Sequence, residues 1–406
     1  MADRNLPRPR IGLRLCLCLS FRAPDQVEEA MEEPPRPLRL RCSVQNYDWG
    51  RFGEESTVAR LFEGNSGSEI ELGRPYAEFW MGTHESGPSF VVASPEAAVA
   101  EAECLASGVV TLKKWIGENP GALGVKVVQK WGKNLPFLFK ELKDVLVGVP
   151  EITELIGNEE ASKIIGSKDL DGYLDAKALL RSIFTKLMSA SKEAVLELVP
   201  KLKDRLDVES KIRTLTEKEQ LVLLLEKQYQ ADVGVIAAFL FNYVKLSPGE
   251  ALYIGSNEPH AYISGDCIEC MAASDNVVRA GLTAKYIDVP TLCSMLTYKQ
   301  GFPEILRGVP IYSYVSRYTP PFDEFEVDRC LLPPKESVVF SAIPGPSIFV
   351  IVAGEGTMQI SSPAEERKVI QGDAFFVPAQ NEIRLIASAD APIHLYRAGV
   401  NNRVFG

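Results

Sequence analysis

Histidine is scarce in this chain, and basic residues are outnumbered by acidic ones, 44 to 54. Its 406 residues include only three histidines, His84, His260 and His394, and the formal net charge is −10. The isoelectric point is near 5.2. These values argue against a general nucleic-acid or anionic-membrane surface, because both kinds of surface need an excess of basic residues. An anionic ligand would therefore have to be held by a local basic cluster.

Long hydrophobic runs and clustered cysteines are also lacking. The longest apolar run, Val233 to Phe241, is too short to span a bilayer, so we expect no integral membrane segment. The eight cysteines are dispersed, unlike the dense disulfide framework of a small secreted domain, and we expect a reducing compartment. Cys267-Ile268-Glu269-Cys270 is a lone CxxC without a second pair. Buried thiols are its simpler interpretation, and a structural zinc or a redox role is the alternative.

Residues 1–34 differ in character from the rest of the chain. Pro7 and Pro9 lead into the stretch IGLRLCLCLSF, which is followed by an acidic, proline-rich segment. A disordered tail and an organelle-targeting peptide both fit this extension, and Met31 is an alternative start. We expect the ordered fold to begin near Leu38, where the sequence alternates like a strand.

Residues 141–229 carry a helical period. Five apolar residues fall at i, i+3, i+4, i+7 and i+8, on one helix face: Leu180, Ile183, Phe184, Leu187 and Met188. Thr216 and Glu219 form the signature of a capping box before another apolar run. This block predicts a helical subdomain inserted into a discontinuous β-domain made of residues 35–140 and 230–310.

Residues 311–406 read as short alternating strands separated by turns, which predicts a jelly-roll domain. An internal echo supports a second, related domain: the segment Gly249 to Ile254 has the same rhythm as Gly372 to Val377. The predicted fold class is therefore mostly β with an α insert. We expect two jelly-roll β-domains plus a helical subdomain.

The stretch from Leu246 to Tyr286 combines the chemistry-bearing residues. Ala251 to Ile254 predicts a buried strand, and His260 follows it on a loop constrained by Pro259. Asp275 and Arg279 lie on a second predicted loop, Ala273 to Ala280, and Lys285 follows closely behind it. A histidine, a carboxylate and two cations next to one strand indicate a site for an anionic small molecule.

Four motifs carry a resemblance to a known family. They are NYDWG (residues 46–50), PYAEFWMGTH (75–84), NLPFLFK (134–140) and PHAYISGDCIECMAASDNVVRAGLT (259–283). In these motifs the chain resembles the zinc-dependent, type I mannose-6-phosphate isomerases, with the plant enzymes most similar. The resemblance implies two cupin-type domains with a helical insert. It also implies interconversion of mannose 6-phosphate and fructose 6-phosphate, which supplies GDP-mannose for glycosylation.

The resemblance also assigns roles to individual positions. His260 matches a zinc-ligating histidine of the family, and Arg279 matches its active-site arginine. Glu269, Asp275 and Lys285 match charged residues that line the pocket, with Glu269 as a candidate base or as a partner of another site residue. Tyr262, Arg279 and Lys285 are the expected substrate-binding residues. Aldose–ketose isomerisation through a cis-enediol needs a base and an electrophile, and zinc would supply part of the latter.

One part of the family pattern is missing. In the family, a segment after the FLFK strand holds the other three zinc ligands: a glutamine, a histidine and a glutamate. Here Lys140 runs directly into Glu141, and no Gln-x-His occurs in the chain. Both a skipped exon and an incorrect gene sequence would produce this join. Because one imidazole cannot hold a catalytic zinc, we expect weak zinc binding and little isomerase activity.

Two interpretations from different classes follow from this gap. The first is a cytosolic, monomeric zinc isomerase that acts on a small sugar phosphate without nucleic-acid or membrane partners. The second is a non-catalytic cupin-like binder of sugar phosphates, or an unstable shortened splice product. A targeting role for residues 1–34 stays open under either interpretation.

Overall fold

The computed structural model describes residues 11–19, 35–92, 110–123, 138–139, 148–157, 173–272, 277–361 and 364–405. The chain divides into two compact units. Unit 1 contains Met1–Lys133, Tyr262–Asp275 and Arg307–Gly406, and unit 2 contains Asn134–Ala261 and Asn276–Leu306. The predicted domains, 35–140 with 230–310, 141–229 and 311–406, divide the sequence differently and stay a prediction.

The strands have the following bounds: β1 Ile11–Leu19, β2 Leu38–Arg41, β3 Ser43–Gln45, β4 Arg51–Phe52, β5 Pro75–Tyr76, β6 Glu78–Gly82, β7 Phe90–Val92, β8 Leu138–Phe139, β9 Gly265–Ala272, β10 Lys299–Gln300, β11 Val309–Tyr312, β12 Val315–Tyr318, β13 Glu326–Leu332, β14 Ser337–Phe340, β15 Ser347–Ala353, β16 Glu355–Ser361, β17 Ala364–Ile370, β18 Ala374–Val377, β19 Ile383–Ala387 and β20 Ile393–Gly399. The helices are α1 Thr57–Ser66, α2 Leu112–Glu118, α3 Pro150–Ile156, α4 Tyr173–Met188, α5 Lys192–Glu209, α6 Glu217–Gln228, α7 Val233–Ala237 and α8 Val289–Met295. No helix in the described ranges is both long enough and apolar enough to cross a membrane.

Unit 1 is built around one eight-stranded sheet. Its order is β11-β12-β13-β20-β15-β18-β2-β7, so strands from both ends of the chain are hydrogen-bonded together. Six successive residues of β15, Ser347 to Val352, are buried. A strand can bury consecutive residues only when both of its faces are covered, because side chains alternate between the faces.

Each face of this sheet has its own hydrophobic core. Phe349 and Ile351 of β15 pack with residues of the second, four-stranded sheet β14-β19-β16-β17, including Phe340 and Leu385. Ile348 and Val350 instead share a core with Phe79 of β6 and with helix α1. The C-terminal strands therefore form the jelly-roll sandwich that the alternating sequence predicted.

A third sheet of unit 1 contains part of the N-terminal extension. Its order is β3-β6-β1-β9, and β1 pairs in parallel with both neighbours. Arg14 to Cys18 lie opposite Glu78 to Gly82 of β6, and Leu15 to Leu19 lie opposite Ile268 to Ala272 of β9. Residues 11–19 thus form a strand within the segment predicted to be disordered or targeting-like, because their apolar, β-prone sequence has a partner strand on each side. Residues 1–10 and 20–34 lie outside the described part of the chain.

Unit 2 is mainly helical. The five residues predicted to share one helix face, which all lie on α4, are at most 5% exposed, and the capping box of Thr216 and Glu219 begins α6. Both predictions are confirmed. Short helix α7 packs against α4, α5 and α6. The strand predicted from Ala251 to Ile254 is not formed: Ala251 makes an isolated bridge to Leu306, and Leu252 to Ile254 have no strand assignment.

The two segments with similar sequence, Gly249 to Ile254 and Gly372 to Val377, begin with a similar backbone conformation. Gly249 and Gly372 have nearly equal φ angles, +93° and +94°. Each glycine therefore adopts a left-handed conformation that other residues rarely accept. The segment after Gly372 continues as β18, whereas the segment after Gly249 does not continue as a strand.

Candidate functional site

His260 lies in unit 2 and is exposed. Its Nδ1 atom is 3.0 Å from the carbonyl oxygen of Glu258. A carbonyl only accepts hydrogen bonds, so this contact assigns the proton to Nδ1 and the lone pair to Nε2. Backbone carbonyls orient metal-binding histidines in the same way. His260 therefore has the tautomer that a metal ligand needs.

Glu258 is a buried carboxyl group that is not among the predicted site residues. It is 7% exposed, and burial raises its pKa to about 8, against the opposing effects of the Gly255 backbone N–H and the Lys299 charge. The group is therefore mainly protonated at neutral pH. In the sequence, the feature that could have indicated Glu258 is its position between Asn257 and Pro259, two residues before His260.

Tyr262 and Glu269 are brought together in unit 1. Glu269 is half-buried on β9, and the Tyr262 hydroxyl donates a hydrogen bond of 2.7 Å to its Oε1 atom. The hydroxyl fixes the orientation of the carboxyl group, and a general base must be oriented towards the proton that it takes. The pair is thus suited to placing an oriented carboxylate on a rigid strand.

Arg279 and Lys285 both lie in unit 2 and are exposed. They flank the segment Gly281–Thr283, and the Lys285 backbone N–H donates to the Thr283 hydroxyl at 3.1 Å. Exposed cations on a short loop are suited to contact an anionic group from solvent. Asp275, the remaining predicted site residue, lies outside the described residues.

Zinc has no matching set of ligands in the described part of the chain. Within those ranges, no group of three or more His, Cys, Asp and Glu side chains is arranged to hold a metal ion. Cys267 and Cys270 are three positions apart on β9, so their side chains point to opposite faces of the strand and cannot share one ion. The described donor set therefore does not fit a catalytic zinc, which normally takes three protein ligands.

The other two histidines lie in unit 1 and have different surroundings. His84 packs edge-on against Trp80, with ring centroids 4.8 Å apart, and its Nδ1 accepts from the Ser86 N–H at 3.1 Å. The nearby Glu78 is buried and accepts from the Trp80 indole at 2.6 Å. His394 packs beside Tyr396 on β20, and burial lowers its pKa to about 4.

This architecture matches solved phosphomannose isomerases. The apo enzyme from Salmonella typhimurium has a TM-score of 0.66 and 20% identity, over 90% of this chain and 100% of that one. A mannose 6-phosphate isomerase bound with zinc and yttrium gives a TM-score of 0.67 over the same shares of both chains. The predicted fold class, a cupin-type β architecture with a helical insert, is confirmed.

Family models identify the chain more closely. Three parts of type I phosphomannose isomerase match: the catalytic domain at residues 38–148, the helical insertion domain at 155–241 and the C-terminal part at 318–363. Mannose-6-phosphate isomerases 2 and 1 of Arabidopsis thaliana are 50% and 47% identical, covering 90% and 91% of this chain and 94% and 95% of theirs. The human mannose-6-phosphate isomerase is 31% identical, over 90% of this chain and 98% of its own. The chain belongs to the type I phosphomannose isomerases, a family of isomerase enzymes, and its plant-like character is confirmed.

The comparison with isomerase 2 also indicates that the relative has positions without a counterpart in this chain. The alignment spans 423 positions, which is more than the 406 residues of the chain, yet it covers only 90% of them. About 365 residues of this chain are therefore distributed over 423 alignment positions. The difference, roughly 58 positions, consists of residues of the relative that have no counterpart in this chain.

Proposed function

We propose that this chain is a form of the isomerase that interconverts mannose 6-phosphate and fructose 6-phosphate. This reaction supplies GDP-mannose for glycosylation. The observation that carries this proposal is the family match, which includes the catalytic, helical and C-terminal parts. A small sugar phosphate is then the ligand. The cytosolic location and the monomeric state stay predictions.

The proposed chemistry assigns a role to each group. Isomerisation moves a proton between adjacent carbons through a cis-enediol, which requires a base and stabilisation of the developing oxyanion. Glu269, held by the Tyr262 hydroxyl, is the proposed base. Arg279 and Lys285 are the proposed partners of the phosphate or of the enediolate charge. Asp275 is a further proposed pocket residue.

We further propose that the chain in its present length binds zinc weakly and turns over little substrate. Two observations support this: the lack of a three-ligand cluster among the described residues, and the relative's roughly 58 extra aligned positions. The alternative is a non-catalytic cupin-like protein that binds sugar phosphates or, as a shortened splice product, is unstable. The exposed cations Arg279 and Lys285 are compatible with binding alone.

Zinc stoichiometry of the purified 406-residue protein, with and without His260→Ala, tests the first point. The expected result is well under one zinc per chain in both proteins, together with isomerase turnover at background level. About one zinc per chain that is lost in His260→Ala, or turnover near that of a full-length family enzyme, would contradict the proposal of impaired activity.

Binding of mannose 6-phosphate by calorimetry separates the remaining alternatives. Binding without turnover would favour the sugar-phosphate binder. A folded protein that neither binds nor turns over mannose 6-phosphate would contradict both functional interpretations.

A further inference from the structure

Asp232 joins two segments of unit 2 that are about 50 residues apart in sequence. Its Oδ1 atom accepts from the backbone N–H of Gly234 at 2.6 Å and caps helix α7. The same oxygen accepts from the Leu282 N–H at 2.9 Å, and Oδ2 accepts from the Thr283 N–H at 3.0 Å. One carboxylate therefore satisfies three backbone donors, two of which lie on the loop between Arg279 and Lys285.

Two glycines allow this contact by letting the backbones meet directly. A Cβ atom on Gly281, whose φ is +107°, would lie 2.8 Å from the Gly234 Cα atom. A Cβ atom on Gly234 would lie 2.7 Å from the Leu282 nitrogen. Since real Cβ atoms essentially never approach so closely, only glycine fits at both positions. The loop is thus held against α7, which is itself packed on three longer helices.

We propose that Asp232 is a positioning residue for Arg279 and Lys285. Arg279 is three residues before Leu282, and Lys285 is two residues after Thr283, so the fixed Leu282–Thr283 amides lie between the two cations. Hydrogen bonds to a charged acceptor are stronger than neutral ones, which suits Asp232 to fix a loop that has exposed side chains. A loop whose backbone is already fixed loses less conformational entropy when its two cationic side chains bind an anion. This inference rests on the proposed function only for the identity of the anion.

Substitutions at Asp232 can separate the helix cap from the loop contact. Asp232→Ser keeps a side-chain oxygen for the Gly234 N–H, because serine is a good N-cap, but it is too short to reach the loop. Asp232→Asn keeps one oxygen, for Gly234 and Leu282, and loses the acceptor for Thr283. The two variants should therefore release the loop to different degrees while α7 remains capped.

The first measurement is amide hydrogen exchange at Leu282 and Thr283. We expect exchange in Asp232→Ser to be at least tenfold faster at both amides, and in Asp232→Asn mainly at Thr283, with the melting temperature of unit 2 changed little. Unchanged exchange at both amides in Asp232→Ser would overturn the inference.

The second measurement is the dissociation constant for mannose 6-phosphate in a double-mutant cycle. We expect Asp232→Ser to weaken binding about tenfold and Asp232→Asn to weaken it less. Because Asp232 acts through the loop, Asp232→Ser combined with Arg279→Gln and Lys285→Gln should bind no more weakly than the protein that carries only the latter two substitutions. Additive losses would show general destabilisation and would overturn the positioning role.

The two measurements keep the inference separate from the proposed function. If the wild-type protein does not bind mannose 6-phosphate, the proposed ligand is wrong, whereas amide exchange still decides whether Asp232 holds the loop. If the wild type binds but loop exchange is unaffected in Asp232→Ser, the ligand stands and the positioning role of Asp232 is wrong.

Discussion

Arg397 Nη1 lies 2.6 Å from Asp328 Oδ2, and the two side chains are 5% and 1% exposed. The residues face each other across β13 and β20, and Arg317 on β12 also donates to Asp328, from Nε at 2.7 Å and from Nη2 at 3.0 Å. The Asp328 carboxylate thus contacts two arginines across three adjacent strands, and Arg317 also pairs with the buried Glu326, Nη1 to Oε1, at 2.8 Å. Loss of the Asp328 charge would take this carboxylate away from the buried Arg397 guanidinium, whereas Arg317 would keep its pair with Glu326.

We predict that Asp328→Asn lowers the free energy of unfolding by about 3–5 kcal/mol, because it breaks a buried ion pair without removing its partners. Urea denaturation followed by circular dichroism measures this change. Lys113→Ala is the matched control, since it breaks the exposed 2.6 Å pair with Glu85 and should change stability far less than Asp328→Asn. Equal effects of the two substitutions would contradict the prediction.

Charge removal at the cationic loop should weaken ligand binding. We predict that Arg279→Gln and Lys285→Gln each raise the dissociation constant for mannose 6-phosphate about tenfold or more, because a charge-assisted hydrogen bond contributes roughly 1.5–3 kcal/mol. Lys211→Gln removes an exposed charge from another part of the same unit and should leave binding unchanged. Isothermal titration calorimetry at fixed salt measures all three, and an equal loss in Lys211→Gln would indicate a non-specific charge effect.

His394 should make the protein less stable in acid. Burial and the Arg329 charge lower the pKa of His394 from its ordinary 6.5 to about 4. Between these values the unfolded state binds more protons, so the contribution of His394 to stability is complete above pH 6.5 and is lost as the pH falls towards 4. One such proton gives a slope of at most about 1.4 kcal/mol per pH unit.

His394→Phe removes the titrating group and keeps an aromatic ring beside Tyr396. Between pH 6.5 and 4 we expect this variant to lose stability less steeply than the wild type, with parallel curves above pH 7. Denaturant midpoints across this range measure the effect. Identical slopes in acid would show that His394 does not contribute to the acid sensitivity.

Deletion of residues 1–30, which begins the chain at Met31, should destabilise unit 1. It removes β1 from between β6 and β9 and exposes two strand edges, which promote association with other chains. We expect a lower melting temperature and larger particles by light scattering. Deletion of residues 2–9 keeps β1 and is the control; equal melting temperatures for all three proteins would show that β1 does not support the fold.

The sequence predicted the local features of the fold well. The capping box at Thr216 and the apolar face of α4 depend on neighbours within a few residues, and both are present. Strand partners depend on distant segments. The stretch Ala251 to Ile254 therefore looked like a strand, although among the described residues it forms a single bridge, at Ala251. Residues 11–19 looked like a tail, although they pair with two strands, β6 and β9.

The same limit applies to the candidate site. The stretch from Leu246 to Tyr286, which contains Arg279 and Lys285, is contiguous, so both residues could be selected from the sequence. Asp232 was missed because its loop partners are 50 and 51 residues away, and nothing around it in the sequence indicates them. Glu258 was missed because its raised pKa is caused mainly by burial, which is a property of the fold.

The pairing of β2 with β18 limits how this protein can be divided. Leu38, Arg39 and Leu40 lie opposite Phe376, Phe375 and Ala374, and Arg39 also forms a 2.7 Å ion pair with the buried Asp373. A fragment that begins at residue 311 would keep most of the jelly roll but would lack the strand that covers this edge. Gene fusions or recombination that exchange residues 311–406 between relatives would therefore also have to preserve the match to Leu38–Arg41, so the last hundred residues are not an independent evolutionary module.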